Sequence, residues 1–143
     1  MEALGRLFNY RHLSDGGWVR LDQCGGATFF CYLAGAVGDT YTLAEAKTST
    51  GGSAQNLAKF TRYHTSTGDG TDSWTLRTQA AAATIVTAAS ADQNAMCCEV
   101  EVEQLSDTFK YVRLTSTGAG LVTAVQRDLK VQRKPSNLLA VTS

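Results

Sequence analysis

Cys98-Glu99-Val100-Glu101-Val102-Glu103 is the stretch that decides the fold class. In an extended chain Val100 and Val102 fall on one side and the three glutamates on the other, which is the period of a half-buried strand. Trp18-Val19-Arg20-Leu21-Asp22-Gln23 alternates in the same way. Residues 27–36 are continuously apolar and end at glycines, as a central sandwich strand does. Residues 40–47, 58–64, 73–78 and 83–88 add short runs rich in Thr, Tyr, Phe, Trp, Ile and Val. The Ala-rich run 79–83 has some helical character, but Thr84, Ile85, Val86 and Thr87 pull it towards strand. Residues 109–115 form a strong strand, Ser116-Thr117-Gly118-Ala119-Gly120 turns the chain, and residues 121–133 return. That return places Leu121, Thr123, Val125, Arg127, Leu129 and Val131 on one side. Short strands at regular spacing, with turn residues between them, predict an all-β antiparallel β-sandwich or jelly-roll-like domain over residues 17–135.

The two ends read differently. In residues 1–16, Leu4, Leu7 and Phe8 fall at i, i+3 and i+4, the spacing of an amphipathic helix, so a short N-terminal arm is expected. Ser14-Asp15-Gly16-Gly17 separates it from the first strand. Beyond Pro135, the single proline, residues 136–143 form a tail carrying Leu138, Leu139 and Val141. Each end either docks on a neighbouring subunit or folds back on its own domain. Leu4, Leu7, Phe8, Leu138, Leu139 and Val141 are therefore the candidate assembly contacts.

A chain of 143 residues can bury a core of its own without a metal or a disulfide. Its 13 basic and 13 acidic residues cancel, which argues against a nucleic-acid binder. The one basic cluster, Arg127, Lys130, Arg133 and Lys134, reads as a solvated face or one that meets an acidic protein surface. The opening residues lack the apolar run of a signal peptide. The uncharged stretch 23–38 is broken by Gly25, Gly26, Gly35 and Gly38, so no membrane partner is expected. The reading is of a soluble chain made in a cytoplasm.

Chemistry leaves little trace. Cys24, Cys31, Cys97 and Cys98 lack zinc-site spacing and read as buried thiols, so neither metal nor cofactor is expected. His12 and His64 are the only imidazoles, and no nucleophile elbow, zinc-protease or phosphate-loop motif occurs. Glu99, Glu101 and Glu103 read as a wet strand face opposite Lys or Arg. The loop Gly68-Asp69-Gly70-Thr71-Asp72 reads as a tight turn. Trp18, Trp74, Tyr32, Tyr41, Tyr63 and Tyr111 read as core and rim; a sugar-stacking platform would need Trp18 or Trp74 exposed on one face. The expectation is a protein that is not an enzyme.

Four segments, in order, carry a resemblance: ATFFCYLAGAVG (27–38), YTLAEAKTSTGG (41–52), FKYVRLTSTGAG (109–120) and VQRDLKVQRKPSN (125–137). Over residues 16–135 this order resembles the small β-rich head decoration proteins, also called minor capsid or cement proteins, of tailed bacteriophages. The resemblance implies a virion structural protein, made in the host cytoplasm, that binds the exterior of an assembled capsid and stabilises the lattice. It implies the major capsid protein as partner and a homo-oligomer, with a trimer favoured. The rival readings are a tail, neck or fibre component of a virion and, behind it, a carbohydrate-binding β-sandwich module.

Overall fold

The computed structural model describes residues 3–13 and 17–142. Among the described residues eleven strands form two antiparallel sheets, and no α-helix occurs. The strands are β1 (Phe8–Leu13), β2 (Val19–Arg20), β3 (Gly26–Tyr32), β4 (Thr40–Ala46), β5 (Gln55–Asn56), β6 (Phe60–Ser66), β7 (Thr75–Ala82), β8 (Thr84–Val86), β9 (Ala95–Glu101), β10 (Tyr111–Ser116) and β11 (Leu121–Arg127). One sheet has the order β1-β11-β3-β9-β6-β7. The other has β2-β10-β4-β5, with β8 also pairing β4. The chain is an all-β sandwich.

Cross-strand register explains which side of each strand is inside, because residues directly opposite each other share a face. In the six-stranded sheet Leu13, Val122, Cys31 and Met96 form one inward row. Ala124, Phe29 and Cys98 form the next, and Gln126, Ala27 and Val100 a third. The other sheet answers with Val19, Leu21, Tyr41, Leu43, Ile85, Val112 and Leu114, and all of these side chains are buried in one cluster. Each large apolar side chain so enclosed stabilises the fold by about 1.5–3 kcal/mol relative to exposure. A smaller cluster of Trp18, Ala44, Ala46 and Tyr111 packs separately. There the Arg113 guanidinium lies 4.6 Å from the Trp18 ring centre, a cation–π contact.

Two buried carboxyl groups are held by hydrogen-bond donors rather than by cations, as buried polar groups must find partners. Glu45, fully buried opposite Val112, accepts from Gln55 Nε2 at 2.7 Å, the Ser106 amide at 2.9 Å and Ser106 Oγ at 2.5 Å. Asp39 accepts from the Thr40 amide at 2.7 Å, the Gly118 amide at 2.9 Å, Thr117 Oγ1 at 3.1 Å and Ser116 Oγ. Asp39 thereby pins the β10–β11 turn to the start of β4.

Two sequence expectations are corrected. The helical stripe of Leu4, Leu7 and Phe8 is not a helix. A single turn forms, with the Leu7 amide on the Ala3 carbonyl at 2.8 Å, and Gly5 breaks it with φ +84°. From Phe8 the chain then runs as β1 against β11, so half of the expected arm belongs to the sheet. The β9 strand ends at Glu101; Val102–Gln104 is a 3-10 turn in which the Gln104 side chain accepts the Glu101 amide, so Glu103 leaves the glutamate row. On β11 the inward residues are Val122, Ala124 and Gln126, and the larger side chains at Leu121 and Val125 lie on the outer face. Gln126 can be buried because its Nε2 donates to the Arg20 carbonyl.

Candidate assembly surface

The six candidate assembly contacts sit on two segments that the fold brings to one end of the sandwich. Gly5 takes its left-handed conformation where a side chain has no room: a Cβ there would stand 2.2 Å from the Arg133 carbonyl oxygen and 3.2 Å from Leu138. The Arg133 amide donates to the Gly5 carbonyl at 2.9 Å. Asn9 Nδ2 reaches the Leu139 carbonyl at 3.0 Å, and Leu4 bridges to Phe8. Both terminal segments thus fold back on their own domain and on each other.

Burial divides the six. Val141 is a core residue, 5% exposed, and its carbonyl accepts the Arg20 amide at 2.8 Å. It fastens the tail to β2 and is not available to a partner. Phe8 and Leu138 are half-buried. Leu4, Leu7 and Leu139 are exposed, at 38%, 54% and 51%, and so is Val131 on the returning chain. A dimple of about 40 Å³ is lined by Asn9, Val131, Leu138 and Leu139 among others. Arg6, Arg133 and Lys134 are exposed on the same two segments. Of the basic cluster named above, Arg127 is paired with Glu101 and Asp128, and Lys130 Nζ donates to the Asp22 carbonyl. Arg133 and Lys134 are left as the positive part of this end.

A second apolar region covers the outer face of the six-stranded sheet. Leu121 stands opposite Tyr32, Phe30 lies between Thr123 and Cys97, and Tyr10 stands opposite Val125. Tyr10, Phe30, Tyr32 and Leu121 are all exposed. Sequence reasoning missed this face because the run 27–36 suggested cover on both sides. The alternation of Phe29 with Phe30 and Cys31 with Tyr32 gives no polar marker for the outside.

Between β6 and β9 a cleft of about 360 Å³ opens, since the two strands pair only over Ser66–His64 against Ala95–Cys97 and then diverge. Its walls carry Lys59, Arg62, Tyr63, His64, Cys97, Glu99 and Glu101. His64 and Cys97 are direct cross-strand partners, the arrangement from which a thiolate nucleophile would be built. The electrostatics run the other way: burial, with a smaller push from Glu99, raises the Cys97 thiol to about 11. Cys97 is thus a neutral thiol at pH 7. Alkylation at pH 7.5 should be ~100-fold slower than for an unperturbed cysteine and should rise about tenfold per pH unit up to that value. Mass-spectrometric labelling with iodoacetamide checks this; labelling as fast as a free thiol at pH 7.5 would show that burial does not suppress the Cys97 thiolate.

The remaining sequence candidates are placed as follows. Cys24, Cys31 and Cys98 are buried free thiols, and among the described residues no cluster of His, Cys, Asp and Glu with metal-binding geometry occurs. The loop at residues 67–72 is a turn in which Thr67 Oγ1 donates to both Asp69 and Asp72 at 2.6 Å. Trp18 is buried in the small cluster beside Tyr111, whereas Trp74 is about half exposed and leads into β7 of the other sheet, so the two indoles share no platform. No known protein family, no curated protein and no solved structure matches this chain.

Proposed function

We propose that the chain is a virion structural protein that binds the exterior of a phage capsid and stabilises the lattice, with the major capsid protein as its partner and as a homo-oligomer on the particle. The observation that carries this reading is the end of the sandwich where both terminal segments meet. There Leu4, Leu7, Leu139 and Val131 are exposed together with Arg6, Arg133 and Lys134. An apolar patch with a positive rim suits an acidic protein surface better than a lipid or a nucleic acid, because its charge is local and the chain as a whole is neutral. A ligand that binds only the assembled lattice stabilises it by mass action, and many copies multiply a modest contact.

The test is sedimentation of the purified chain with undecorated heads. Leu7→Asp and Leu139→Asp together should abolish co-sedimentation, and each alone should weaken binding about tenfold or more, as expected for anchors in a small interface. Both positions are exposed, so the variants should melt like the parent. Unchanged binding by the double variant would reject the proposed surface. A parent chain that binds purified tails but not heads would favour the tail, neck or fibre reading.

A further inference from the structure

We propose that the cleft between β6 and β9 binds a free apolar α-amino acid, with its carboxylate towards Arg62 and Lys59 and its ammonium on Glu99. The cleft exists because β6 leaves its neighbour. The register of β6 against β7 shifts between Phe60 and Arg62, and such a bulge bends the strand that carries it. The ladder between β6 and β9 stops at His64 opposite Cys97. Next in that antiparallel register stand Arg62 and Glu99, which a closed ladder would set together as opposite charges. They line the two banks of the opening instead. Among the described residues neither of them enters an ion pair, nor does Lys59.

Backbone groups face the same space. Along a strand, the amide and carbonyl of alternate residues point to alternate neighbours. The Val102 amide, just past β9, reaches the Gly25 carbonyl at the start of β3, at 2.9 Å. Cys97 and Glu99 therefore turn theirs towards β6, and beyond Cys97 no strand is there to meet them. Thr28 Oγ1 donates to Glu99 Oε1 at 3.4 Å and steadies that carboxylate. Glu101 does not compete with it, being paired with Arg127. Gln104 Oε1 takes the Glu101 amide at 2.9 Å and closes the far end. Phe60 and Cys98, each 2% exposed, form an apolar floor.

A cleft with cations on one bank and a carboxylate on the other selects its ligand by charge. A simple anion would be repelled by Glu99, and a simple amine by Arg62 and Lys59. A neutral ligand would displace water from all three charges without replacing it. A zwitterion answers both banks at once, and the Glu99 backbone adds a donor and an acceptor. The floor favours an apolar side chain. At about 360 Å³ the space lies at the small end of ligand clefts, which suits one residue better than a peptide. The inference stands independently of the capsid reading.

Isothermal titration calorimetry of the full chain at pH 7.5 tests it, with leucine, methionine and phenylalanine and with the N-acetyl and carboxamide forms of each. At least one of the three amino acids should bind, and both of its blocked forms should bind about tenfold more weakly or worse. Arg62→Gln and Glu99→Gln, both at exposed positions, should melt like the parent and each weaken binding about tenfold or more. The bound amino acid should also slow iodoacetamide labelling of Cys97, which lines the same cleft. No binding by any of the three at millimolar concentration would overturn the proposal. So would blocked forms that bind as well as the free ones, binding indifferent to both substitutions, or binding that leaves Cys97 labelling unchanged.

Discussion

A variant lacking residues 2–13 is expected to lose cooperative folding, whereas one lacking only residues 2–7 should keep it. The longer deletion removes β1 and with it six register pairs on β11. Leu13, 3% exposed, leaves the inward row with Val122 and Cys31, at a cost of about 1.5–3 kcal/mol for that side chain alone. The loss of Asn9 also frees the Leu139 carbonyl and loosens the tail. β11 would become a seven-residue edge, LVTAVQR, with apolar residues on both faces, and such an edge invites aggregation. The shorter deletion removes one turn and the Gly5–Arg133 hydrogen bond, so the melting temperature should fall by only a few degrees. A thermal melt followed by near-UV circular dichroism separates the two. A cooperative transition in the longer deletion, close to the parent's, would show that β1 is an accessory strand.

Asp39→Ala should be the most damaging single polar substitution, at about 3 kcal/mol, because it leaves several buried donors without an acceptor. Ser116, Thr117, Gly118 and Thr40 all point at this carboxylate. Burial pushes the carboxyl's pKa up, but the hydrogen bonds from Ser116, Gly118, Thr40 and Thr117 outweigh burial and hold it below the ordinary aspartate value. A folded pKa below the unfolded one means stability that is present above the unfolded value and lost as pH falls through the folded one. The gap between parent and Asp39→Asn should thus be constant above about pH 5 and should shrink below about pH 4, where the unfolded carboxyl takes up its proton. Gly120→Ala should act on the same network, since its new Cβ would lie 2.5 Å from Asp39 Oδ2 and 2.8 Å from the Tyr41 hydroxyl. Urea melts across pH 3–7 check these outcomes. A gap between parent and Asp39→Asn that widens towards low pH would reverse the assigned role.

The sequence was most informative where alternation coincided with a clear difference in polarity. Val100 between Glu99 and Glu101, and Leu43 beside Tyr41, announce their inward side without help from the rest of the chain. It was least informative where a buried position is polar or small. Asn9 and Gln126 are inside because Leu139 and Arg20, 130 and 106 residues away, offer carbonyls to them. No local rule assigns such partners, so β1 looked like a helix. Asp39 and Glu45 were overlooked for the same reason: a lone carboxylate in a strand-forming stretch gives no sign that Ser116 or Ser106 will meet it. The candidate surface was half legible. The apolar residues of both termini were visible as such, but their meeting at one end depends on the Gly5–Arg133 and Asn9–Leu139 contacts, and Val141 was already committed to the core.

The end formed by residues 3–8 and 131–140 is the surface proposed to meet a capsid. Cryo-EM of undecorated heads saturated with the chain tests it most directly. Density is expected on the outer shell with Leu4, Leu7 and Leu139 against the major capsid protein and the turns at residues 67–72 and 117–120 pointing to solvent. Density attached through those turns, or density confined to the tail or neck, would contradict it.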